Sequence, residues 1–345
     1  MKAIVLSAFG GVERFEAREM PTPEPQAGEV RVRVKTVAVN PIDYKYRQGR
    51  FGGRLPMVLG FDASGIIDAV GADVTGCAIG DEVYAFLGGR QSNGANAEFF
   101  CTPAAFVSAK PKNLDFAQAA AFPLAGLTAY QAVMQPGLLR GSRSVFVAGG
   151  SGGVGSIAIQ LLRHLGADPI LTTAGSDASA SYLTESLGIL PRHILRYRGL
   201  GVDELCARTL EMNGGRPVAA ALDFWGGDMK RVCCRVVDFD GAIVSIVEEP
   251  PGFDLNVWNA SRSPLFARSA SLHFEYIGAR AIFGGPDDWD AYRCQFAELT
   301  SLIESDAIAP IALTVLPELT PETLGEAHRM IETGHVQGKI VLHVA

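Results

Sequence analysis

One glycine-rich turn constrains the fold of this 345-residue chain more than any other feature. The segment 147–155 contains the pattern G-x-G-x-x-G at Gly150, Gly152 and Gly155. A strand-like apolar run, 144–148, leads into the turn, and an amphipathic helical pattern follows it. The chain has 39 glycines, so the pattern alone is weak evidence. Its position between a strand and a helix is what predicts the start of a βα unit.

A turn of this kind predicts a binding site for the diphosphate of a dinucleotide. The first glycine permits the tight turn, the second lets backbone N–H groups approach a pyrophosphate, and the third lets the helix pack closely. The helix N-terminus adds partial positive charge. A glycine turn that serves packing alone is the alternative. The residues expected to bind the cofactor here are Gly150, Ser151, Gly152, Gly153, Val154 and Gly155.

The end of the next strand distinguishes between the two nicotinamide cofactors. The run 169–173 ends without an acidic residue at its tip, which favours NADPH over NADH. Asp177 follows, and we interpret it as a first-turn residue of the next helix rather than as a ribose ligand. Ser176 is a candidate donor to the 2′-phosphate. Tyr197 and Arg198 are candidates for the adenine side, and ordinary surface positions are the alternative for both.

The rest of the chain predicts two domains of the α/β class. Residues 1–123 contain short alternating strands and turn clusters, which indicate a β-rich, barrel-like part. Strands and helices then alternate, which predicts a doubly wound parallel sheet covered by helices on both faces. The last apolar run, 338–344, has to pair with a strand, and the first part is the favoured partner. The predicted domains are therefore 1–125 with 278–345, and 126–277.

Composition excludes several classes of partner. The net charge of −7 gives no basic surface for nucleic acid or an anionic membrane, so a small-molecule ligand is the better expectation. The six cysteines show no C-x-x-C pair, as expected for free thiols in a reducing compartment. The apolar stretch at residues 3–6 is too short for a signal sequence or a membrane span. We therefore expect a cytoplasmic protein.

Several motifs together resemble a known family. They lie at 40–49, 60–65, 80–83, 119–130 and 334–342. The chain resembles the zinc-independent, quinone-oxidoreductase-like branch of the medium-chain dehydrogenase/reductase superfamily. The resemblance implies a GroES-like catalytic domain, an inserted Rossmann NADPH-binding domain, and a homodimer joined through strand 271–277. It also implies NADPH-dependent reduction of quinones or of the C=C bond of α,β-unsaturated carbonyl compounds.

The resemblance implies roles for residues of both domains. Asn40, Tyr44 and Lys45 correspond to the active-site segment, where a lysine is frequent in enone-reducing members and some quinone reductases carry tyrosine. Thr128 and Lys339 correspond to residues near the cofactor. Structural alternatives stay open: a turn for Asn40, a backbone hydrogen bond for Thr128, and solvent exposure for Lys339. Ser245 is placed in the cofactor crevice on other grounds, because ligands bind beyond the carboxyl ends of parallel strands.

The metal ligands of zinc-dependent relatives are absent from the corresponding positions. Those relatives need a cysteine in the first segment and a His-Glu pair in the second. This chain has Asn40 and Asp43 in the first segment and Phe61-Asp62 in the second. We therefore expect no metal, and we interpret Asp43 as the cap of a helix that begins near Tyr44.

Three functional hypotheses remain open on the sequence. The first is a metal-independent reductase of quinones or activated alkenes, in which donors stabilise the negative charge that develops on the carbonyl oxygen. The second is a carbonyl or alcohol oxidoreductase of the same family. The third is an NADPH-binding protein without catalytic turnover. No general acid is identified, and a proton taken from solvent would make one unnecessary.

Overall fold

The computed structural model describes residues 1–88, 93–135, 137–139, 143–253 and 258–345. The strands in these residues are β1 (Lys2–Leu6), β2 (Phe15–Glu19), β3 (Glu29–Val39), β4 (Met57–Val58), β5 (Asp62–Val70), β6 (Glu82–Phe86), β7 (Phe99–Pro103), β8 (Val107–Ala109), β9 (Val145–Ala148), β10 (Ile170–Ala174), β11 (Ile194–Arg196), β12 (Val218–Asp223), β13 (Val237–Ser245), β14 (Ser271–Phe274), β15 (Leu313–Glu318) and β16 (Lys339–His343).

The helices are α1 (Pro41–Arg47), α2 (Phe116–Ala120), α3 (Pro123–Val133), α4 (Gly153–His164), α5 (Asp177–Ser181), α6 (Val202–Met212), α7 (Asp228–Val236), α8 (Pro264–Ala267), α9 (Ala279–Phe283), α10 (Pro286–Glu304) and α11 (Pro321–Glu332). A π-helical turn, Tyr182–Ser186, continues α5. Short 3₁₀ turns lie at Val12–Arg14, Ala104–Phe106 and Pro191–His193. No helix among the described residues combines the length and the apolar character needed to cross a membrane.

The chain divides into two compact units. Met1–Leu127 and Ile277–Ala345 form the first unit, and Thr128–Tyr276 forms the second. The first of these divisions falls within α3. The units therefore divide two residues after the predicted boundary at 125/126 and one residue before that at 277/278.

The first unit is built around the long strand β3. Residues 29–36 alternate between more exposed and buried positions, because successive side chains of a strand point to opposite faces, and residues 37–39 are all buried. Val30, Val32 and Val34 therefore enter the core. In the larger sheet the order is β15-β16-β3-β5-β6-β8, and β7 also pairs with β3. β16 is antiparallel to β3, with Ile340 opposite Val39, as the sequence predicts for the last apolar run.

The second unit contains a parallel sheet of the Rossmann type. Its strand order is β11-β10-β9-β12-β13-β14, and all five pairings are parallel. Every residue of β9, β10 and β12 is buried, as expected for strands covered on both faces. The carboxyl ends of the strands meet at one edge of the sheet, and the glycine-rich turn follows β9 at that edge.

Three predicted boundaries are wrong by a few residues. The helix expected near Tyr44 begins at Pro41, because proline is well suited to the first position of a helix. The helix expected over 178–187 begins at Asp177 and becomes π-helical from Tyr182. The strand expected over 271–277 ends at Phe274.

Candidate functional site

Packing of the second unit requires glycine at the first position of the G-x-G-x-x-G turn. A Cβ atom on Gly150 would lie 2.8 Å from Cδ1 of Ile159 and closer still to the hydroxyl of Thr172. That hydroxyl donates to the carbonyl of Val147 at 2.7 Å, so it is held in place. The amide of Gly149 donates in turn to the hydroxyl of Thr173 at 2.9 Å. Residues of β10 therefore fix the turn against the sheet.

The other two glycines of the pattern differ from each other. A Cβ atom on Gly155 would lie 2.7 Å from the Cα of Gly150, so close packing of helix and turn requires this glycine. A Cβ atom on Gly152 would meet only the carbonyl oxygen of Gly149, at an ordinary 3.5 Å. The backbone of Gly152 is extended, a conformation open to any residue. Within the part of the chain that the structure describes, packing therefore does not require glycine there, and the space beside it is open.

The turn also presents backbone donors. Gly152 precedes the first turn of α4, a helix of 12 residues without a side-chain cap. The first N–H groups of a helix have no partner within it, so Gly153, Val154 and Gly155 direct their amides outward from the helix end. Open space next to aligned donors fits a bound phosphate group.

The ends of β10 and β11 bring Ser176 and Tyr197 to the same edge of the sheet. Ser176 caps α5, and its hydroxyl accepts from the amide of Ser179 at 3.1 Å. The ring of Tyr197 lies over Gly175, where a Cβ atom would come within 2.9 Å of its Cζ atom. The centroid of the same ring lies 5.7 Å from that of the Trp225 ring. Both candidates therefore lie beside the turn that follows β10.

Ser245, at the end of β13, belongs to a buried network. Its hydroxyl donates to Asp223 at 3.1 Å, and the same carboxylate accepts from the amide of Gly226 at 2.8 Å. Burial raises the pKa of Asp223, and the hydrogen bond from Gly226 opposes this effect. Ser245 therefore holds the carboxylate that shapes the turn after β12.

The first unit contains a closed cluster of polar side chains, formed by Asn40, Asp43, Asp62 and Lys339. We refer to these four residues as the buried polar cluster. Asn40 Nδ2 donates to Asp62 Oδ2 at 2.8 Å, and Lys339 Nζ donates to the same oxygen at 3.2 Å. Lys339 also donates to Asn40 Oδ1. Only 4% of Lys339 and none of Asp62 is exposed, so these groups satisfy one another away from water.

Asp62 joins three separate segments of the first unit. Through Oδ2 it holds Asn40, which precedes α1, and Lys339, which begins β16. Through Oδ1 it accepts from the amide of Leu124, in the first turn of α3, at 2.7 Å. The amide orientation of Asn40 follows from this arrangement, because the opposite orientation would place its NH₂ group against an ammonium group.

Asp43 adds a second buried carboxyl group to the cluster. Its Oδ2 accepts from the amide of Asn40 at 2.8 Å, so Asp43 completes the capping box of α1 from the third position of the helix. The N-cap itself is Asn40, not Asp43 as the sequence predicts. Its Oδ1 is buried and has no hydrogen-bond partner among the residues that the structure describes. Burial, together with the nearby carboxylate of Asp62, raises the pKa of Asp43 to about 7. One ammonium and two carboxyl groups therefore share this interior, and Asp43 exchanges its proton near neutral pH.

The remaining candidates lie on two helices. Tyr44 and Lys45 are half-buried on α1, within one and a half turns of Asn40. Thr128 lies in α3, and its buried hydroxyl has no hydrogen-bond partner in the described ranges of the chain. The backbone hydrogen bond considered from the sequence is therefore not formed there. An unpaired buried hydroxyl is costly unless a ligand or water bonds it.

The donors of the buried polar cluster do not suit zinc. Zinc prefers thiolate, imidazole and carboxylate ligands, whereas Asn40 offers an amide. The ammonium group of Lys339 already lies against Asp62, where a divalent cation would have to displace it. Among the residues that the structure describes, no three His, Cys, Asp or Glu side chains are placed to hold a metal ion.

Sequence reasoning identified the segment that contains Asp62 but not its role. The available signal was a charged residue at the start of an apolar strand, because a charge in such a position needs a buried partner. The two expectations for Lys339, a cofactor contact or a solvated surface position, did not include a buried ion pair.

The fold and the glycine turn define a class of protein that joins a GroES-like domain to a Rossmann-type sheet. Residues 26–112 match the alcohol dehydrogenase GroES-like domain, and residues 165–342 match the zinc-binding dehydrogenase family. The chain belongs to the medium-chain dehydrogenase/reductase superfamily.

Two curated relatives match parts of the chain. The human synaptic vesicle membrane protein VAT-1 homolog-like is 42% identical over 163 residues, which are 47% of this chain and 38% of that protein. The match thus spans about two fifths of that relative's length. The NADPH-dependent alkenal/one oxidoreductase of Arabidopsis thaliana is 35% identical over 64% of this chain and 62% of its own.

Solved structures match the whole chain. A mycobacterial protein in complex with NADPH is 27% identical, covers 99% of this chain and 100% of its own, and has a TM-score of 0.84. The quinone oxidoreductase of Pseudomonas syringae is 25% identical over 99% of both chains, also with a TM-score of 0.84.

Proposed function

We propose that this chain is an NADPH-dependent oxidoreductase that transfers hydride, without a metal, to a quinone or to the C=C bond of an α,β-unsaturated carbonyl compound. The observation that carries the proposal is the open position beside Gly152. Packing explains Gly150 and Gly155, whereas a bound diphosphate explains Gly152. The names of the Arabidopsis and Pseudomonas relatives support the two substrate classes.

The cofactor-binding residues proposed here lie mainly in the second unit. Amides of the 150–155 turn bind the diphosphate, and Ser176 and Tyr197 lie on the adenosine side. The hydroxyl of Thr128, which has no hydrogen-bond partner among the described residues, is proposed to bond the nicotinamide end. When bound, NADPH supplies the hydride, and a proton from solvent completes the reduction of the substrate.

Asn40, Tyr44 and Lys45 are the proposed substrate-side residues. One N–H of the Asn40 amide is committed to Asp62, which orients the second N–H. Donors held in this way stabilise negative charge on a carbonyl oxygen without reorganising during the reaction. We propose that Lys339 and Ser245 act by positioning, because both side chains donate to buried carboxylates.

A coupled binding and turnover experiment tests the proposal. We expect NADPH to bind, measured by calorimetry, and its absorbance to fall when a short alkenal or a 1,4-quinone is added, with or without a chelator. Binding without turnover across both substrate classes would favour a non-catalytic protein. Oxidation of alcohols with NADP⁺, and no reduction of alkenals or quinones, would favour the carbonyl/alcohol oxidoreductase.

We also propose that the chain forms a homodimer through β14. This strand is the last in the order of the parallel sheet, and Ser271, His273 and Phe274 are exposed on it. A strand at a sheet edge offers unpaired backbone groups to a second copy. Light scattering should give a dimer for the wild type and a monomer for Ser271→Lys, with Ser301→Lys on α10 as the matched control. A monomeric wild type would contradict the proposal.

A further inference from the structure

An exposed ion pair lies where β10 and β11 end. Arg196 is the last residue of β11 and lies opposite Ala174 of β10 in the sheet. Its Nη2 atom lies 3.0 Å from Oδ1 of Asp177, which begins α5. The guanidinium side chain is 49% exposed and the Asp177 side chain is fully exposed. The pair therefore adjoins Ser176 and faces solvent.

Other groups at the same strand ends surround this pair. Ser176 lies next to Asp177 in the chain, and Tyr197 follows Arg196 and lies over Gly175. In a sheet with this strand order, the end of the second strand is where an adenosine ribose binds. An acidic residue there favours a free 2′-hydroxyl, and a nearby arginine favours a 2′-phosphate. This chain has one of each, and they are paired with each other.

The ion pair is well suited to being exchanged. Exposed pairs of this kind are weak and are screened by salt, so little opposes their separation. A phosphate offers arginine a stronger, bidentate partner with more negative charge than a carboxylate. Once Arg196 turns to a phosphate, Asp177 is left beside that phosphate and repels it.

We infer that Arg196 determines cofactor specificity: it breaks its ion pair with Asp177 and binds the 2′-phosphate of NADPH instead. We infer also that the carboxylate of Asp177 opposes this selectivity for NADPH over NADH. The inference rests on the proposed NADPH-binding function and assigns its discrimination between NADPH and NADH to two residues. It predicts that the carboxylate of Asp177 limits the selectivity of this chain for NADPH over NADH.

Calorimetry of the full chain with two probes, adenosine 2′,5′-bisphosphate and AMP, tests the inference. We expect Arg196→Gln to weaken binding of the bisphosphate about 10-fold and to change binding of AMP by no more than about 2-fold. Asp177→Asn should increase the affinity for the bisphosphate by about 3-fold and leave the affinity for AMP unchanged. Arg208→Gln is the matched control, because Arg208 is equally exposed, at 49%, and is also paired with a carboxylate in the second unit. It should change neither affinity.

The double variant Arg196→Gln with Asp177→Asn distinguishes two roles of Arg196. The arginine either contacts the 2′-phosphate directly or only neutralises the charge of Asp177. If Arg196 binds the phosphate, the loss of bisphosphate affinity persists without Asp177. Full recovery in the double variant would overturn the inference, and so would an equal loss for both probes or no loss in Arg196→Gln. If the wild type binds neither probe, the proposed function fails as well. Binding of both probes without any effect of the variants removes only the present inference.

Discussion

The two units place their candidate residues in opposite surroundings. In the first unit, Asn40, Asp62 and Lys339 are buried and bond one another. In the second unit, the glycine turn presents amides beside open space, and Arg196 and Asp177 face solvent. Polar residues that the sequence does not distinguish thus have different surroundings in the two units. Asp62 and Lys339 of the first unit hold segments together and orient the proposed substrate-side amide of Asn40, whereas the groups of the second unit are available to a ligand.

This difference predicts how the two regions respond to mutation. A buried charge without its partner is strongly unfavourable, so changes in the buried polar cluster should reduce stability first. Changes at the strand ends of the second unit should reduce binding and leave stability nearly unchanged. A stability measurement and a binding measurement on each variant therefore separate the two regions.

Lys339→Met should have the largest effect. The substitution leaves Asp62 and Asp43 buried without a cation, and we expect the free energy of unfolding to fall by roughly 3–5 kcal/mol. Chemical denaturation measures this loss. Adding Asp62→Asn should recover part of it, because a neutral amide needs no counter-charge. Arg31→Met, which breaks the half-buried pair with Asp68, should cost only about 1 kcal/mol. A similarly small loss for Lys339→Met would show that the cluster is not closed to water.

Asp43→Asn should change how stability depends on pH. The pKa of Asp43 is raised from 3.8 to about 7 in the folded chain. Between these values the unfolded chain loses this proton while the folded chain keeps it, so the group's contribution to stability falls as pH rises and is fully lost above about 7.

The asparagine variant lacks this titration. The unfolding free energy of Asp43→Asn relative to the wild type should therefore rise with pH by up to about 1.4 kcal/mol per pH unit between pH 4 and 7, and then level off. Denaturation at several pH values measures the slope. A flat difference for Asp43→Asn would mean that Asp43 is ionised throughout.

Local patterns in the sequence were enough to predict the fold class. Alternating apolar residues predict β3, and the glycine turn between β9 and α4 predicts the Rossmann-type sheet, because both depend on residues close in the chain. Partners distant in the chain were harder to predict. Lys339 lies 277 residues from Asp62, and no local pattern indicates that they meet. The pairing of Arg196 with Asp177 likewise depends on the register of two strands.

Two glycine variants sharpen the contrast within one turn. Gly150→Ala should reduce stability by about 1–3 kcal/mol, because its Cβ atom meets Ile159 and the held hydroxyl of Thr172. Gly152→Ala should cost no more than about 1 kcal/mol, because alanine is a poorer N-cap than glycine for α4. It should weaken NADPH binding by roughly 10-fold or more, because the methyl group occupies the space proposed for the diphosphate. Denaturation and calorimetry on the same samples measure both. Unchanged NADPH affinity in Gly152→Ala would contradict the proposed binding site.

Ser176→Asp should have the smallest effect on stability, and its effect on binding should be selective for NADPH. Aspartate caps a helix as well as serine does, so α5 should keep its start and the protein its stability. The added carboxylate would repel a 2′-phosphate, and we expect NADPH to weaken relative to NADH by about 10-fold. Ser176→Asn preserves the cap without the charge and should leave the ratio of the two affinities unchanged. If Ser176→Asp also leaves that ratio unchanged, the phosphate binds away from the end of β10, and the open edge of the second unit would then bind a different part of the cofactor.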